Sequence, residues 1–272
     1  MICELYYNAH AGNAPKLYPQ VLAFLQAHTN DARTMHEQSP YHKAFVVLGG
    51  DGTFNTLLNS LPDPENHLFI LLPGGTSNSL YSQLSPNENA LDKLTRIFNA
   101  GQLPAPHCLD LPELTVDGKT YRFINEASAG FAASIAREIE QRKTKQIFNR
   151  LHLSELAYIA TAFRCWLKDE PYFLSLCNNR RISGDLYPCV EADPTDGVID
   201  IYELSCPRWR LPFELTRLVK AKHDKPSAYV RRTQISNAGF RIPDLPLELD
   251  GNPLPPARDI TLSLYPKQIH VI

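Results

Sequence analysis

The sequence predicts an N-terminal α/β domain, built on a doubly wound parallel sheet, followed by a β-rich second domain. Ala44–Leu48 and Leu68–Leu72 are continuous runs of aliphatic and aromatic residues, typical of strands buried on both faces. Each run ends at a glycine turn and is followed by a segment with helical spacing. Beyond residue 104, short strand-like segments and hairpin signals replace this alternation.

The N-terminal domain is predicted to span residues 1–103. Ile2–Tyr7 is typical of a short strand, and Leu17–Ala27 places its apolar residues on one face of a helix. Further helices are predicted over Phe54–Leu61, from near Asn78, and over Leu91–Ala100. The proline-rich segment 101–106 marks the boundary.

The second domain is predicted over residues 104–264. Asp117-Gly118 between two apolar segments indicates a hairpin. Leu151–Leu167 has helical spacing, and five of its residues are expected to point inward: Leu153, Leu156, Ala160, Phe163 and Leu167. Short strands are predicted at Tyr172–Cys177, Val198–Leu204, Ala228–Ser236, Leu247–Leu249 and Ile260–Leu264.

Composition excludes several classes of protein. The 272 residues have a formal net charge of −2 and a pI near 6.5, which disfavours a nucleic-acid partner. Six dispersed cysteines without a Cys-x-x-Cys pair are expected to be reduced thiols. The first residues lack the build of a signal peptide, and no apolar run has the length of a transmembrane segment. These features predict a cytoplasmic protein, at most peripheral to a membrane.

Two glycine loops follow the two buried strands. Gly49–Asn55 reads Gly-Gly-Asp-Gly-Thr-Phe-Asn, and Pro73–Asn78 reads Pro-Gly-Gly-Thr-Ser-Asn. Glycines allow backbone to approach a phosphate, and the N–H groups at a helix start favour an anion. Parallel sheets bind ligands at the carboxyl ends of their strands. The pair of loops favours phosphate binding, although two tight turns without a ligand would have a similar sequence.

The two loops resemble the nucleotide site of the diacylglycerol kinase catalytic domain and its bacterial lipid-kinase relatives. Asn8-Ala-His-Ala-Gly12 is similar to that family's phosphate turn, with Ala9 in place of its proline. Phe123–Phe131 and Pro188–Asp200 resemble two further family elements. Further similarities follow the family's order at Leu109-Asp110, Lys222-His223 and Leu249-Asp250-Gly251.

The resemblance implies a two-domain fold of the NAD kinase and diacylglycerol kinase type, with ATP as co-substrate in the interdomain cleft. It implies that residues 265–272 pack back onto the first domain. The residues expected to bind ATP are Asn8, Gly12, Gly49, Gly50, Asp51, Gly52, Thr53, Asn55, Gly75, Thr76 and Asn78. His10 is a further candidate for the phosphate turn.

The resemblance also implies a structural Mg²⁺ ion. The family holds it with two acids three residues apart and a backbone carbonyl three further on, and Asp193, Asp196 and Ile199 have this spacing. Mg²⁺ prefers oxygen ligands of this kind. An acidic turn with no metal is the alternative, because Asp-Pro-Thr-Asp-Gly also consists of good turn formers.

Asp250 is the candidate catalytic base. A carboxylate within hydrogen-bond reach of a lipid hydroxyl can accept its proton as the new P–O bond forms. A type I′ hairpin at Asp250-Gly251 is compatible with this role. The family's motif continues with glutamate where this chain has Asn252, and many members have aspartate where this chain has Ser79.

Residues 205–232 hold eight basic and two acidic side chains. Leu211, Leu215, Leu218 and Val219 form an apolar helical stripe within this basic segment. The segment is either a docking site for anionic lipid or an ordinary solvated face.

The sequence therefore predicts an ATP- and Mg²⁺-dependent kinase whose substrate is a diacylglycerol-like lipid at a membrane surface. Two alternatives remain. An NAD kinase shares the Gly-Gly-Asp-Gly-Thr loop, although the second loop and the C-terminal Asp-Gly fit the lipid kinases better. The second alternative is a catalytically weak or inactive homologue that binds nucleotide or lipid. It is suggested by Asn252 and Ser79, which replace acidic residues of the family.

Overall fold

The computed structural model describes residues 3–37, 39–75, 77–100, 102–141, 154–168, 171–182, 186–219, 226–236, 238–239, 245–255 and 260–272. The chain divides into two compact units. The first comprises Met1–Leu111, Pro194–Gly197 and Tyr265–Ile272, and the second comprises Pro112–Asp193 and Val198–Leu264. Two strands, β4 (His107–Val116) and β13 (Ile260–Val271), each contribute residues to both units.

A parallel sheet forms the centre of the first unit. Its strands β1 (Cys3–Tyr7), β2 (Lys43–Gly49) and β3 (His67–Pro73) pair in that order. In β2 the residues from Ala44 onward are buried, and in β3 the residues up to Leu72 are buried, as the continuous apolar sequences of both strands predict. The last residues of β13 pair in parallel with β3, His270 opposite Leu68.

Within the described ranges of the first unit, five α-helices connect and cover these strands. They are α1 (Ala14–Ala27), α2 (Thr29–Glu37), α3 (Asp51–Ser60), α4 (Ser79–Leu84) and α5 (Ala90–Asn99). A 3₁₀ turn, Pro64–Asn66, precedes β3. The buried side chains of the strands, α1 and α5 form one hydrophobic cluster that includes Val46, Ile70, Leu94, Ile97 and Ile272. This alternation of strand and helix confirms the predicted α/β class.

Asp110 joins three separate segments of the first unit. Its carboxylate accepts hydrogen bonds from the backbone N–H of Gly197 at 2.7 Å and of Lys267 at 2.9 Å. Its own N–H donates to the carbonyl of Pro194 at 2.7 Å. A hydrogen bond to a charged acceptor contributes about 1.5–3 kcal/mol, so this buried side chain fixes both returning segments.

An antiparallel sheet of six strands forms the second unit, in the order β12-β11-β6-β7-β8-β9. These strands are β6 (Glu126–Gly130), β7 (Tyr172–Cys177), β8 (Ile199–Ser205), β9 (Val230–Ile235), β11 (Leu247–Leu249) and β12 (Asn252–Leu254). The helices are α6 (Phe131–Gln141), α7 (Ser154–Lys168) and α8 (Leu211–Val219), the last preceded by a 3₁₀ turn at Arg208–Arg210. The short strand β10 (Ala238–Gly239) pairs with the start of β13.

Two hairpins confirm the predicted Asp-Gly turns. Asp117 and Gly118 have φ angles of 46° and 81° between β4 and β5 (Lys119–Arg122). Asp250 and Gly251 have φ angles of 47° and 81° between β11 and β12. Positive φ at both central residues is the type I′ geometry that matches the twist of the flanking strands.

The predicted inward face of α7 is wrong over its described side chains. Phe163 and Leu167 were expected to be buried, but 57% and 53% of their surfaces are exposed. Thr161 and Cys165 are buried instead. Small side chains lie against the unit here and large ones face outward, so apolar spacing alone selected the wrong face. The side chains of Leu153, Leu156 and Ala160 lie outside the described residues.

Candidate functional site

Three turns meet at the carboxyl ends of β1, β2 and β3. The carbonyl of Gly74 accepts hydrogen bonds from the N–H groups of Asn13 at 2.8 Å and Ala14 at 3.1 Å. The N–H of Gly74 donates to the carbonyl of Gly49 at 2.8 Å. The phosphate-turn candidate and both glycine loops are therefore joined by direct backbone contacts at the edge where parallel sheets bind ligands.

This contact leaves no room for side chains at two glycines. A Cβ atom on Gly75 would lie 2.4 Å from the Cα of Gly50. A Cβ atom on Gly12, whose φ is +34°, would lie 2.8 Å from the carbonyl oxygen of Gly74. By contrast, a Cβ atom on Gly52 would meet nothing within 4 Å. Gly52 is thus not required for packing, and its lack of a side chain leaves open space beside the first turn of α3.

Asp51 connects the two glycine loops electrostatically. Its carboxylate accepts hydrogen bonds from the backbone N–H of Ser79 at 2.7 Å and Leu80 at 3.1 Å, the first two residues of α4. A carboxylate at a helix N-terminus satisfies donors that have no partner within the helix. The negative charge of Asp51 therefore orients α4.

Asn78 fixes the second loop. It adopts left-handed backbone geometry with φ of 48° and ψ of 48°. Its side chain accepts a hydrogen bond from the N–H of Gly75 at 2.9 Å and donates to the carbonyl of Gly75 at 3.0 Å. Ser79, which stands where many relatives have aspartate, is buried, with its hydroxyl 3.1 Å from that of Ser77. The predicted Thr76 lies outside the described residues.

The remaining predicted nucleotide residues take supporting positions. Asn8 accepts a hydrogen bond from the N–H of His10 at 2.9 Å, which shapes the first turn. Thr53 is buried and lies directly beside Gly49. Asn55 accepts a hydrogen bond from the side chain of Asn59 at 3.2 Å, within α3. These contacts stabilise the loops.

A small cleft of about 20 Å³ lies beside the glycine loops. Val47, Gly49, Gly50, Asp51, Phe54, Leu71, Leu72, Asn78 and Tyr81 line it. A cleft of this size has room for about one water molecule. Tyr81 was not predicted as part of this site; its hydroxyl donates a hydrogen bond to the carbonyl of Glu88 at 2.8 Å.

Lys93 supports the wall of this cleft from behind Tyr81. Its ammonium group lies 4.6 Å from the centre of the Tyr81 ring and donates to the Ser85 hydroxyl at 3.1 Å. Burial lowers the pKa of Lys93 to about 8, because a charged amine loses its hydration there. Its place on an otherwise regular helix gave no signal of this role.

Asp250 lies in a buried hydrogen-bond network of the second unit. Its carboxylate accepts hydrogen bonds from the backbone N–H groups of Ile124 at 2.8 Å, Asn125 at 2.8 Å and Glu126 at 3.1 Å. Its own N–H donates to the carbonyl of Glu126 at 3.0 Å. The side chain predicted as a base therefore also holds the hairpin against the Phe123–Phe131 segment.

Two further buried acids adjoin Asp250, and neither was predicted. Glu248 accepts hydrogen bonds from the Ser128 hydroxyl and the Gly251 N–H, both at 2.5 Å. Burial raises the pKa of Glu248 to about 7, and the nearby Asp250 charge adds to the rise. Burial, then the charge of Glu248, raises the pKa of Glu126 well above its ordinary value. In Leu247–Leu249 the alternating pattern indicates an exposed glutamate, yet all three residues are buried.

The residues predicted to hold Mg²⁺ lie close together in the sequence. Asp193 belongs to the second unit and Asp196 to the first, and Ile199 opens β8 opposite Ile235. Carboxylate and carbonyl oxygens are chemically suited to Mg²⁺. Within the described ranges, no three His, Cys, Asp or Glu side chains group as metal ligands. The predicted set has only two such side chains, so the magnesium site stays a prediction.

Comparison with known proteins gives the class of the molecule. Residues 9–108 match the diacylglycerol kinase catalytic domain. A YegS-like candidate lipid kinase of Pseudomonas fluorescens is 26% identical over 227 residues, which cover 78% of this chain and 70% of the relative. A candidate lipid kinase of Staphylococcus haemolyticus is 25% identical over 173 residues, covering 57% of this chain. That match spans only 52% of the staphylococcal protein.

Solved structures show the same fold. A candidate diacylglycerol kinase from Bacillus anthracis superposes with a TM-score of 0.66 at 16% identity, covering all of this chain and 96% of that one. Yeast NADH kinase in complex with NADH superposes with a TM-score of 0.51 at 10% identity, covering 82% of that chain. The fold is therefore that of the diacylglycerol and NAD kinases. The match over residues 9–108, the lipid-kinase relatives and the shared fold support the resemblance to the diacylglycerol kinase catalytic domain that the sequence motifs indicated.

The helices that the structure describes include none with both the length and the apolar character needed to cross a bilayer.

Replacing Glu248 with glutamine should change how stability depends on pH. A carboxyl whose pKa is raised from 4.5 to about 7 stabilises the fold fully below pH 4.5 and loses that contribution as pH rises through about 7. Glu248→Gln should therefore gain stability relative to wild type as pH rises, by up to about 3 kcal/mol. Urea unfolding at several pH values measures this difference. The exposed Glu65→Gln is the control, and a constant difference for Glu248→Gln would contradict the assignment.

Proposed function

We propose that the protein transfers the γ-phosphoryl group of ATP to the hydroxyl of a diacylglycerol-like lipid. The observation that carries the proposal is the meeting of three turns at one edge of the parallel sheet, where glycine backbone and helix starts create space for phosphate. The match of residues 9–108 to the diacylglycerol kinase catalytic domain supports this proposal. We further propose that the protein is cytoplasmic and visits the membrane only peripherally.

The phosphates of ATP are proposed to lie beside Gly50–Thr53 and Gly75–Thr76. α3 begins at Asp51, and the first N–H groups of a helix lack partners within it. A phosphate beside Gly52 would occupy the open space over this turn and accept hydrogen bonds from such groups. Asp51 would otherwise repel an anion, but its charge is directed to the start of α4. Gly12 and Asn8 would shape the opposite wall.

Mg²⁺ is proposed to bind Asp193, Asp196 and the carbonyl of Ile199 as a structural ion. This part of the proposal rests on the family's spacing and on the oxygen chemistry of the three ligands. When bound, the ion would neutralise two carboxylates in a tight turn.

Asp250 is proposed to receive the proton of the lipid hydroxyl. Three backbone N–H groups hold its carboxylate in one orientation, which favours a positioned base. The same three bonds favour a purely structural role, in which Asp250 anchors the hairpin. With Asn252 in place of the family's glutamate, the Asp250-Gly251-Asn252 turn contains no other carboxylate.

A catalytically inactive nucleotide- or lipid-binding protein is the second candidate function. Asn252 and the bonds that already engage Asp250 favour it. NAD is a less favoured acceptor, supported by the shared Gly-Gly-Asp-Gly-Thr loop and by the likeness to the NADH kinase fold. Incubation with labelled ATP and either a lipid extract or NAD distinguishes the three: labelled lipid supports the proposal, labelled NAD replaces it, and neither product indicates the inactive homologue.

Gly52→Val should weaken ATP binding at least tenfold, or about 1.4 kcal/mol. Its side chain would fill the space proposed for phosphate, while the absence of neighbours within 4 Å should leave the fold intact. Isothermal titration calorimetry measures the affinity, and thermal unfolding checks the fold. Thr56→Val, an exposed β-branched change one turn further along α3, is the matched control. Wild-type affinity in folded Gly52→Val would refute the phosphate assignment.

Wild type should gain thermal stability with Mg²⁺, and the Asp193→Ala/Asp196→Ala variant should not. A ligand that binds only the folded state stabilises it by about 2.7 kcal/mol at a hundredfold excess over its Kd. Melting curves with and without MgCl₂ give the comparison. Asp31→Ala/Glu65→Ala removes two exposed acids and should respond as wild type does. An equal gain in both double variants would place the ion elsewhere.

Asp250→Asn should lower lipid phosphorylation by about 10²–10⁴-fold if Asp250 is the base. ATP affinity should stay near wild type. The melting temperature should fall in either role, because the NH₂ group that replaces one oxygen cannot accept the backbone N–H bonds made to that oxygen. A purely structural role predicts this fall without the loss of rate in the folded variant. Rate, affinity and melting temperature are measured together. Asn252→Glu is the companion variant: activity that appears only with this glutamate would identify an inactive homologue.

A further inference from the structure

In the part of the second unit that the structure describes, four large apolar side chains are exposed. They are Phe163 (57%), Leu167 (53%), Trp209 (63%) and Phe213 (60%), and we call them the aromatic patch. Single exposed apolar residues are common on protein surfaces, but a group of large ones marks an interaction site. The patch comes from two segments: the end of α7, and the 3₁₀ turn together with the first turn of α8.

Two hydrogen bonds hold these segments side by side. The indole N–H of Trp166 donates to the carbonyl of Arg208 at 2.9 Å, and the guanidinium of Arg208 donates to the carbonyl of Leu167 at 2.7 Å. The rings of Phe163 and Trp166 lie 5.4 Å apart. Beneath the surface, Cys165, Cys206 and Leu211 belong to one buried cluster. The segments that carry the aromatic patch are therefore anchored by a packed hydrophobic cluster.

Positive charge accompanies the patch. The basic segment, residues 205–232, has eight basic and two acidic residues. Of the two acids, Asp224 lies outside the described residues, and Glu214 is fully buried between Arg210 at 3.2 Å and Arg217 at 3.6 Å. The guanidinium of Arg210 lies 5.8 Å from the ring of Phe213. Exposed Arg164 and Lys168 flank the apolar residues on α7, and the acidic pair 169–170 that follows is outside the described residues.

We propose that the aromatic patch is the surface by which the protein docks onto an anionic lipid bilayer, with its apolar side chains in the headgroup region and the adjacent arginines on lipid phosphates. Tryptophan and phenylalanine partition to this interface, and basic residues are attracted to anionic headgroups. The proposal rests on the proposed function, because a lipid acceptor resides in the membrane.

A second copy of the chain fits the same surface less well. A symmetric dimer through the patch would place each basic rim against its own copy, since an isologous contact joins identical surfaces. Like charges brought together across an interface oppose association. A negatively charged bilayer is complementary to both the apolar residues and the arginines.

Vesicle sedimentation without nucleotide tests the proposal. Wild type should bind phosphatidylglycerol vesicles, bind phosphatidylcholine vesicles weakly, and lose binding as salt is raised. The Trp209→Ser/Phe213→Ser variant should lower the partition coefficient at least about tenfold, because two large apolar side chains no longer enter the interface. Its melting temperature should match wild type, since both side chains are exposed.

Tyr265→Ser is the matched control, because Tyr265 is another large exposed side chain, at 47%. It should bind vesicles as wild type does. Equal binding by Trp209→Ser/Phe213→Ser and wild type would overturn the proposal. So would light scattering that shows a dimer of wild type and a monomer of this variant.

Different experimental results would contradict the proposed docking surface and the proposed function. Gly52→Val should bind vesicles normally, because the nucleotide loops belong to the first unit. Vesicle binding by a wild type that phosphorylates no lipid would refute the kinase and leave the docking surface standing. Lipid phosphorylation in vesicles by Trp209→Ser/Phe213→Ser at the wild-type rate would refute the docking surface and leave the kinase.

Discussion

The backbone contact between Gly74 and the two neighbouring turns is the constraint on which the N-terminal site depends. One carbonyl accepts the N–H groups of both Asn13 and Ala14, while the N–H of Gly74 bonds to Gly49. Turns this close leave no space for a Cβ atom at the contact. The glycines are therefore needed because they lack a side chain, more than because they make the backbone flexible. Asp51 and Asn78 then use side-chain oxygens to hold the loops from outside. The result is a rigid edge rich in backbone N–H groups.

The second unit is constrained by electrostatics, because it buries three acidic side chains around one hairpin. The carboxylate of Asp250 accepts hydrogen bonds from backbone N–H groups. By contrast, burial raises the pKa of Glu248 and Glu126 and so favours their protonated forms. An unpaired buried charge is costly, so raised pKa values limit the repulsion within the cluster. The hydroxyls of Ser128 and Ser175 and the N–H of Gly251 satisfy the two glutamates. The geometry of the Asp250 turn and the protonation of its neighbours are thus linked.

Much of this architecture could be predicted from the sequence, and the failures have identifiable causes. The buried strands, the glycine loops and both Asp-Gly hairpins follow from local chemistry, and the structure has them. The outward-facing Phe163 and Leu167 could not be predicted, because apolar spacing on α7 does not tell which face touches the unit. The burial of Glu126 and Glu248 could not be predicted, because it depends on the pairing of strands that lie far apart in the sequence. The roles of Asp250 and of the acids near Ile199 remain predictions.

The end of β13 gives the folding of the first unit an unusual order of events. His270 and Val271 pair with Leu68 and Phe69, and Ile272 exchanges backbone hydrogen bonds with Phe69 and Leu71. During synthesis, residues 67–73 leave the ribosome long before their partner strand exists, so one edge of β3 must wait for about two hundred further residues. An unpaired apolar strand edge invites association with other chains. Nascent or truncated forms lacking the final strand should therefore be prone to aggregation and be natural clients of chaperones.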